Sequence, residues 1–206
     1  MSLSKFDETI EHLKTRWQHT DKNFLSQLFP LLADGRPISL THLTEITHKD
    51  IAAVEQELVK GYTGRDTKGN VIELFGVMQS PSLHRIQIGQ VCLFSCCALV
   101  AHMVPLLLDR TATIESVDPI SHHLVRLQVS PSGVQLVEPQ QAVGTLVVTT
   151  QEQVLKDVRS AFCMHVCYFP DKETAEEFIA ADLRRYLVGI QMFHEAACKL
   201  TSALWG

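Results

Sequence analysis

An α+β fold is predicted for this chain on three observations. Apolar residues recur at helical spacing through roughly the first sixty residues. Beyond about Ser80, short runs of β-type residues take over. The helical stretches among those runs do not alternate with them regularly, which argues against a doubly wound sheet and for short, mainly antiparallel strands. The expected organisation is an N-terminal winged-helix-like helical lobe over residues 1–79, followed by a mixed α/β core over residues 80–206.

Phe6, Ile10, Leu13 and Trp17 space a first amphipathic helix. A second runs from about Lys22 to Leu32, and Asp34-Gly35-Arg36-Pro37 stops it. Ser39 or Thr41 can cap a short helix over Leu43 and Ile46. His48 to Val59 reads as a further helix with Ile51, Val54 and Leu58 on one face and Gly61 at its end. Asp66 to Asn70 has the chemistry of a hairpin turn leading into a strand over Val71–Leu74. In the core, strands are expected at Leu83–Ile88, Thr113–Ser116, Leu124–Val129, Val134–Val137 and Gly144–Thr149. Helices are expected near Cys97–Leu108, Gln151–Ala161, Lys172–Leu187 and Gly189–Leu204.

Composition narrows the function classes. The formal net charge is −5 and no basic cluster stands out, which disfavours a nucleic-acid partner. Helices plus a hairpin follow the winged-helix plan, but the would-be reading helix carries Asp50, Glu55 and Glu57 where a DNA reader should be basic. A packing lobe is the better expectation. No secretory h-region follows the N-terminus, so a cytoplasmic location is expected. The most apolar stretch, Val91–Leu108, contains Cys96, Cys97 and His102 and is interrupted by Pro105; a buried helix explains it better than a membrane span. The six cysteines, Cys92, Cys96, Cys97, Cys163, Cys167 and Cys198, should then be free thiols.

Clustered thiols are the strongest chemical signal. Cys96-Cys97 stand at the start of an apolar helix, where the helix dipole can lower a thiol pKa. If Cys163 to Cys167 were extended, Cys163, His165 and Cys167 would share a face and make half of a soft-metal site. A packed thiol and a hydrogen-bonded imidazole are the bland reading of Cys167 and His165. His122-His123 read as a solvated loop, and His194-Glu195 lack the second histidine of a zinc-protease motif.

Several motifs, in order, resemble those of the bacterial alkylmercury (organomercurial) lyases. They are Leu93-Phe94-Ser95-Cys96-Cys97-Ala98-Leu99 with Pro105 and Asp109-Arg110-Thr111-Ala112; Val129-Ser130-Pro131-Ser132; Val137-Glu138-Pro139; Val158 to Val166; and His194-Glu195-Ala196. Leu31 to Ser39 and Lys68 to Ile72 extend the resemblance into the first lobe. It implies an alkylmercury-lyase-like core with Cys97 and Cys163 as the paired catalytic thiols, gripping mercury while an acid protonates the carbon. It also implies no required cofactor, Hg(II) being the product of the substrate, and a thiol buffer or mercuric reductase as acceptor in mercury resistance. The family's acidic residue one turn after the first thiol corresponds to Val100, a family cysteine corresponds to Asp118, and the aromatic before the first thiol corresponds to Cys96. Cleavage is therefore expected to be weakened. The metal set is Cys97 and Cys163, with Cys96, His165 and Cys167 as further candidates. The alternatives are a non-catalytic protein binding soft metal (Hg, Cu or Zn) through its thiols and a relative diverted to other thiol chemistry; Cu or Zn is also an adventitious candidate at the site.

Overall fold

The computed structural model describes residues 4–15, 20–61 and 63–205. The chain opens with α1 (Lys5–Thr15), α2 (Lys22–Ala33), α3 (Leu40–Thr47) and α4 (Ile51–Lys60). Phe6, Ile10 and Leu13 form the buried stripe of α1, and Trp17 lies outside the described residues. Ser39 is the cap expected of α3, accepting from the His42 N–H; Asp21 also accepts from the N–H groups of Asn23 and Phe24, and Asp50 from that of Ala53. His48 closes α3 in the left-handed region at φ 53°, so α4 begins later than periodicity alone predicts. Its apolar face starts at Val54, because Ile51 is exposed.

Strands β1 (Gly64–Arg65) and β2 (Val71–Leu74) form the expected hairpin. Its turn is held by Asp66, whose carboxylate accepts from the N–H groups of Lys68 and Asn70. Next come β3 (Val77–Met78), β4 (His84–Ile88), β5 (Val91–Ser95), α5 (Ala98–Leu108), β6 (Ala112–Val117), β7 (Leu124–Ser130) and β8 (Gly133–Glu138). The chain continues through β9 (Val143–Val147), α6 (Gln151–Ala161), a 3₁₀ turn at Cys163–His165, β10 (Tyr168–Phe169), α7 (Lys172–Ala180), β11 (Arg185–Gly189) and α8 (Ile190–Trp205).

All strand pairs are antiparallel, as expected of an α+β fold. One sheet has the order β1-β2-β3-β5-β4-β6-β7-β8, and a second the order β10-β9-β11. The first runs through residue 79 without a break, since β3 pairs with β5 at Val77–Ser95 and Met78–Phe94.

Two expectations are corrected. The apolar stretch from Val91 is not helical throughout: Val91–Ser95 is strand β5, and only Ala98–Leu108 is helix. The helix expected over Lys172–Leu187 stops at Ala180, because Arg185–Gly189 pairs along the whole length of β9. Tertiary pairing overrides local propensity there. Helix α5 is buried from Ala98 to Pro105 with one exception, Val100, which is half-buried. It packs on the larger sheet and on α8, so its N-terminus opens deep in the molecule.

Candidate metal centre

Two connections, remote in sequence, bring three thiols to one point. Cys96 follows β5, and Cys97 is the N-cap of α5. Cys163 begins the 3₁₀ turn after α6. The Ala98 N–H donates to the Val166 carbonyl at 3.0 Å, tying one segment to the other. The Tyr168 hydroxyl donates to the Ala98 carbonyl at 2.8 Å, and the Ser95 hydroxyl to that of Cys97 at 3.0 Å. The Sγ atoms of Cys96, Cys97 and Cys163 all lie within 4.8 Å of one another.

Gly76 makes room for the trio. It sits at φ +78°, and its carbonyl accepts from the Cys96 N–H at 2.8 Å. A Cβ at Gly76 would fall 2.3 Å from the Cys96 sulfur, far inside van der Waals contact.

The sulfurs border a cavity of about 380 Å³, lined largely by apolar side chains that include Phe75, Leu99, Val100, Met103 and Phe162. Three charged residues also line it: Glu73, Asp157 and Arg159. Arg159 pairs with Glu73. Asp157 breaks α6, with φ −159° and ψ 91°, and its carboxylate accepts from the N–H groups of Arg159 and Ser160. Glu73 and Asp157 went unremarked in the sequence. No motif marks them, and only the fold carries them to the cavity.

The thiols are harder to ionise than their helix position suggests. Burial, followed by the Cys163 thiol, pushes the Cys97 pKa well above the ordinary thiol range, outweighing the lowering influence of the Val100 N–H. Cys163 is raised by its hydrogen bond with Cys96 and then by burial. The hydrogen bond of Cys96 to Cys163 lowers its own pKa, but the Cys97 thiol and burial reverse this, and Cys96 is raised too. Burial and the neighbouring thiols thus outweigh the lowering that a helix N-terminus can give.

The structure does not bring His165 and Cys167 to this point. Cys163–His165 is a 3₁₀ turn rather than a strand, so the expected shared face does not form. The His165 Nε2–H donates to the Ser160 carbonyl at 3.0 Å and Nδ1 accepts from Arg185 Nε at 2.9 Å, which occupies both ring nitrogens. Burial, with the Arg185 charge adding, lowers its pKa. Cys167 packs with Phe169 and Ala175 in a separate cluster, and burial raises its pKa to about 12.

Asp118 is likewise spent elsewhere. Its carboxylate accepts from the N–H groups of Ile120, Ser121 and His123 and from the Ser121 hydroxyl. Burial raises its pKa, but these four donors outweigh it, and the net shift is downward. His194 is within 3.5 Å of Cys198 through Nε2, in the α8 interior. His123 accepts or donates at the Ser121 hydroxyl, at 2.7 Å, in the exposed β6–β7 connection.

A family model described as "MerB: Alkylmercury lyase" matches residues 78–205. The alkylmercury lyase of Staphylococcus epidermidis (strain ATCC 12228 / FDA PCI 1200) is 32% identical over 180 residues, 86% of this chain and 82% of that protein. That of Streptomyces lividans is 27% identical over 178 residues, 86% of this chain and 81% of the relative. In three dimensions the chain is similar to a solved structure described as "Crystal structure of the mercury-bound form of MerB2". The TM-score is 0.82 at 16% identity, over 96% of this chain and 99% of the other, which is a likeness of fold. Among the described residues, no helix is long and apolar enough to cross a membrane.

Proposed function

The chain belongs to the alkylmercury lyase family, and from that premise we propose that it binds organomercury through Cys97 and Cys163 and cleaves the carbon–mercury bond slowly by protonolysis. One observation carries the reading: in a chain of this family, the Cys97 and Cys163 sulfurs, far apart in sequence, lie within 4.8 Å of each other beside an apolar cavity.

Soft sulfur matches soft mercury. One thiol displaces the leaving ligand of R–Hg–X and releases HX, giving R–Hg–S. The second thiol then closes on mercury, and the proton it sheds is delivered to carbon. The Hg–C bond breaks, R–H departs, and a neutral bis-thiolate remains. Mercury is thus substrate and product, and no resident cofactor is required. A thiol buffer or a mercuric reductase would take the product, as in mercury resistance.

The weak point is the proton. Val100 stands where the family resemblance expects an acid, and valine has none to give. A positioned general acid contributes about 10²–10⁴-fold in rate, so binding should outlast turnover. The test measures mercury binding and hydrocarbon release from phenylmercury or methylmercury. Cys97→Ala and Cys163→Ala should each abolish tight binding. Undiminished binding in either folded variant, or cleavage as fast as in a lyase carrying the acid, would overturn the proposal.

A further inference from the structure

The mercury chemistry above uses two sulfurs, yet the fold positions a third. Cys96 is held by its own N–H on Gly76, in a space that exists because position 76 has no Cβ. Among the described residues the three sulfurs are the one group of histidine, cysteine and carboxylate side chains gathered closely enough to hold a metal ion.

Charge decides what three sulfurs suit. Hg(II) with two thiolates is neutral. A third thiolate would leave a net negative charge beside an apolar cavity, and an unpaired buried charge is costly. The Arg159 charge favours the Cys96 and Cys163 thiolates, but Glu73, with which it is paired, and Asp157 line the same cavity and offset it. A trivalent centre with three thiolates is neutral. It forms by condensation: M(OH)₃ and three Cys–SH give M(S–Cys)₃ and three waters. Each step makes one M–S bond, breaks one M–O bond and one S–H bond, and releases one water. No oxidant, reductant or external base is consumed, so the missing carboxylic acid does not matter.

Size agrees. At metal–sulfur bonds of about 2.3 Å, sulfurs on one centre lie at most about 4.6 Å apart, and roughly 3.5 Å apart in a three-coordinate pyramid. Sulfurs already within 4.8 Å need only small rotations to close on one atom. The adjoining cavity of about 380 Å³ admits the hydroxide and leaves room for the three waters released.

We propose that Cys96, Cys97 and Cys163 together form a three-coordinate site for trivalent metalloid hydroxides of the arsenous acid class. The site is separate in chemistry from the two-sulfur grip on mercury, and Cys96 is the residue that distinguishes them.

The test uses the reduced full-length protein and sodium arsenite. Intact mass should rise by one arsenic less three hydrogens. Arsenic X-ray absorption should show three sulfur neighbours. Cys96→Ser should weaken arsenite binding by at least about 10²-fold, the low end of what a further intramolecular link adds, while phenylmercury binding persists. Failure to take up arsenite, loss of fewer than three hydrogens, fewer than three sulfur neighbours, or undiminished arsenite binding in a folded Cys96→Ser protein would overturn the proposal. If Cys96→Ser does not fold, mass and absorption on the unmodified protein decide. Loss of phenylmercury binding in a folded Cys96→Ser protein would overturn the separation of the two sites, whereas failure of the unmodified protein to bind phenylmercury would count against the mercury reading alone.

Discussion

At residue scale the most informative position is Val100, half-buried on the cavity wall one turn after Cys97. Val100→Asp should raise hydrocarbon release from phenylmercury by about 10²-fold or more, the lower bound for a positioned acid. Melting of the variant should be followed in parallel, because burial can hold the new carboxyl neutral or destabilise the fold. Gly76 is the second such position. Gly76→Ala meets both a positive φ and the Cys96 sulfur. The left-handed conformation alone costs about 1–2 kcal/mol, and in a chain of this size each kcal/mol lowers the melting temperature by about 2–4 °C. A melt should therefore show a drop beyond the backbone cost, with increased reactivity of a displaced Cys96. A Gly76→Ala protein that melts like the original would show that the site does not need the gap.

At the scale of elements, caps and periodic faces were legible because their chemistry is local. Ser39 caps its helix as expected, and Asp21, Asp50 and Thr150, not singled out as caps in the sequence, cap theirs by the same local chemistry. What was hidden is what depends on partners. Val91–Ser95 is uniformly apolar to half-polar, and periodicity cannot separate a buried strand from a buried helix in so short a run. Arg185–Gly189 becomes a strand because β9 offers it an edge. Of the site, Cys97 and Cys163 were legible through resemblance, and Cys96 through adjacency. The expected face of Cys163, His165 and Cys167 failed because one 3₁₀ turn changes the spacing of side chains. The first lobe also carries an element-scale prediction. Its Lys49, Lys60 and Arg65 are paired with Asp21, Glu57 and Glu55, which leaves α4 without free positive charge to meet phosphates. The full chain should show no salt-dependent shift of a labelled DNA duplex at moderate ionic strength; a shift that weakens as salt rises would contradict this.

At the scale of the whole molecule, the interior sets an acid limit. His102 is fully buried against Tyr168 and Phe193, and neither ring nitrogen has a hydrogen-bond partner. Desolvation, with the His194 charge adding, lowers its pKa to about 3. Desolvation also lowers that of His84 to about 4. Both are neutral in the fold, whereas the unfolded chain takes up their protons near pH 6.5. Their contribution to stability is therefore complete above about pH 6.5 and is lost as pH falls from there toward 3–4. His102→Leu should flatten the decline in melting temperature between pH 7 and pH 4. An unchanged pH profile in that variant would remove His102 as its cause.

The continuous ladder from β2 through β3 to β5 has a mechanical consequence. The cavity wall includes Thr63, Gly64, Glu73, Phe75 and Gly76 on one side of this ladder and Cys96, Cys97 and Leu99 on the other. A wall that crosses a hydrogen-bonded sheet cannot part there like two leaves on a hinge. Away from the sheet the wall is made by α6, where Asp157 interrupts the helix and Arg159 pairs with Glu73 of β2. The sheet acts as a fixed frame: the backbone positions that carry Cys96 and Cys97 are set by hydrogen bonds, so closing on a ligand is left to rotation of the thiol side chains.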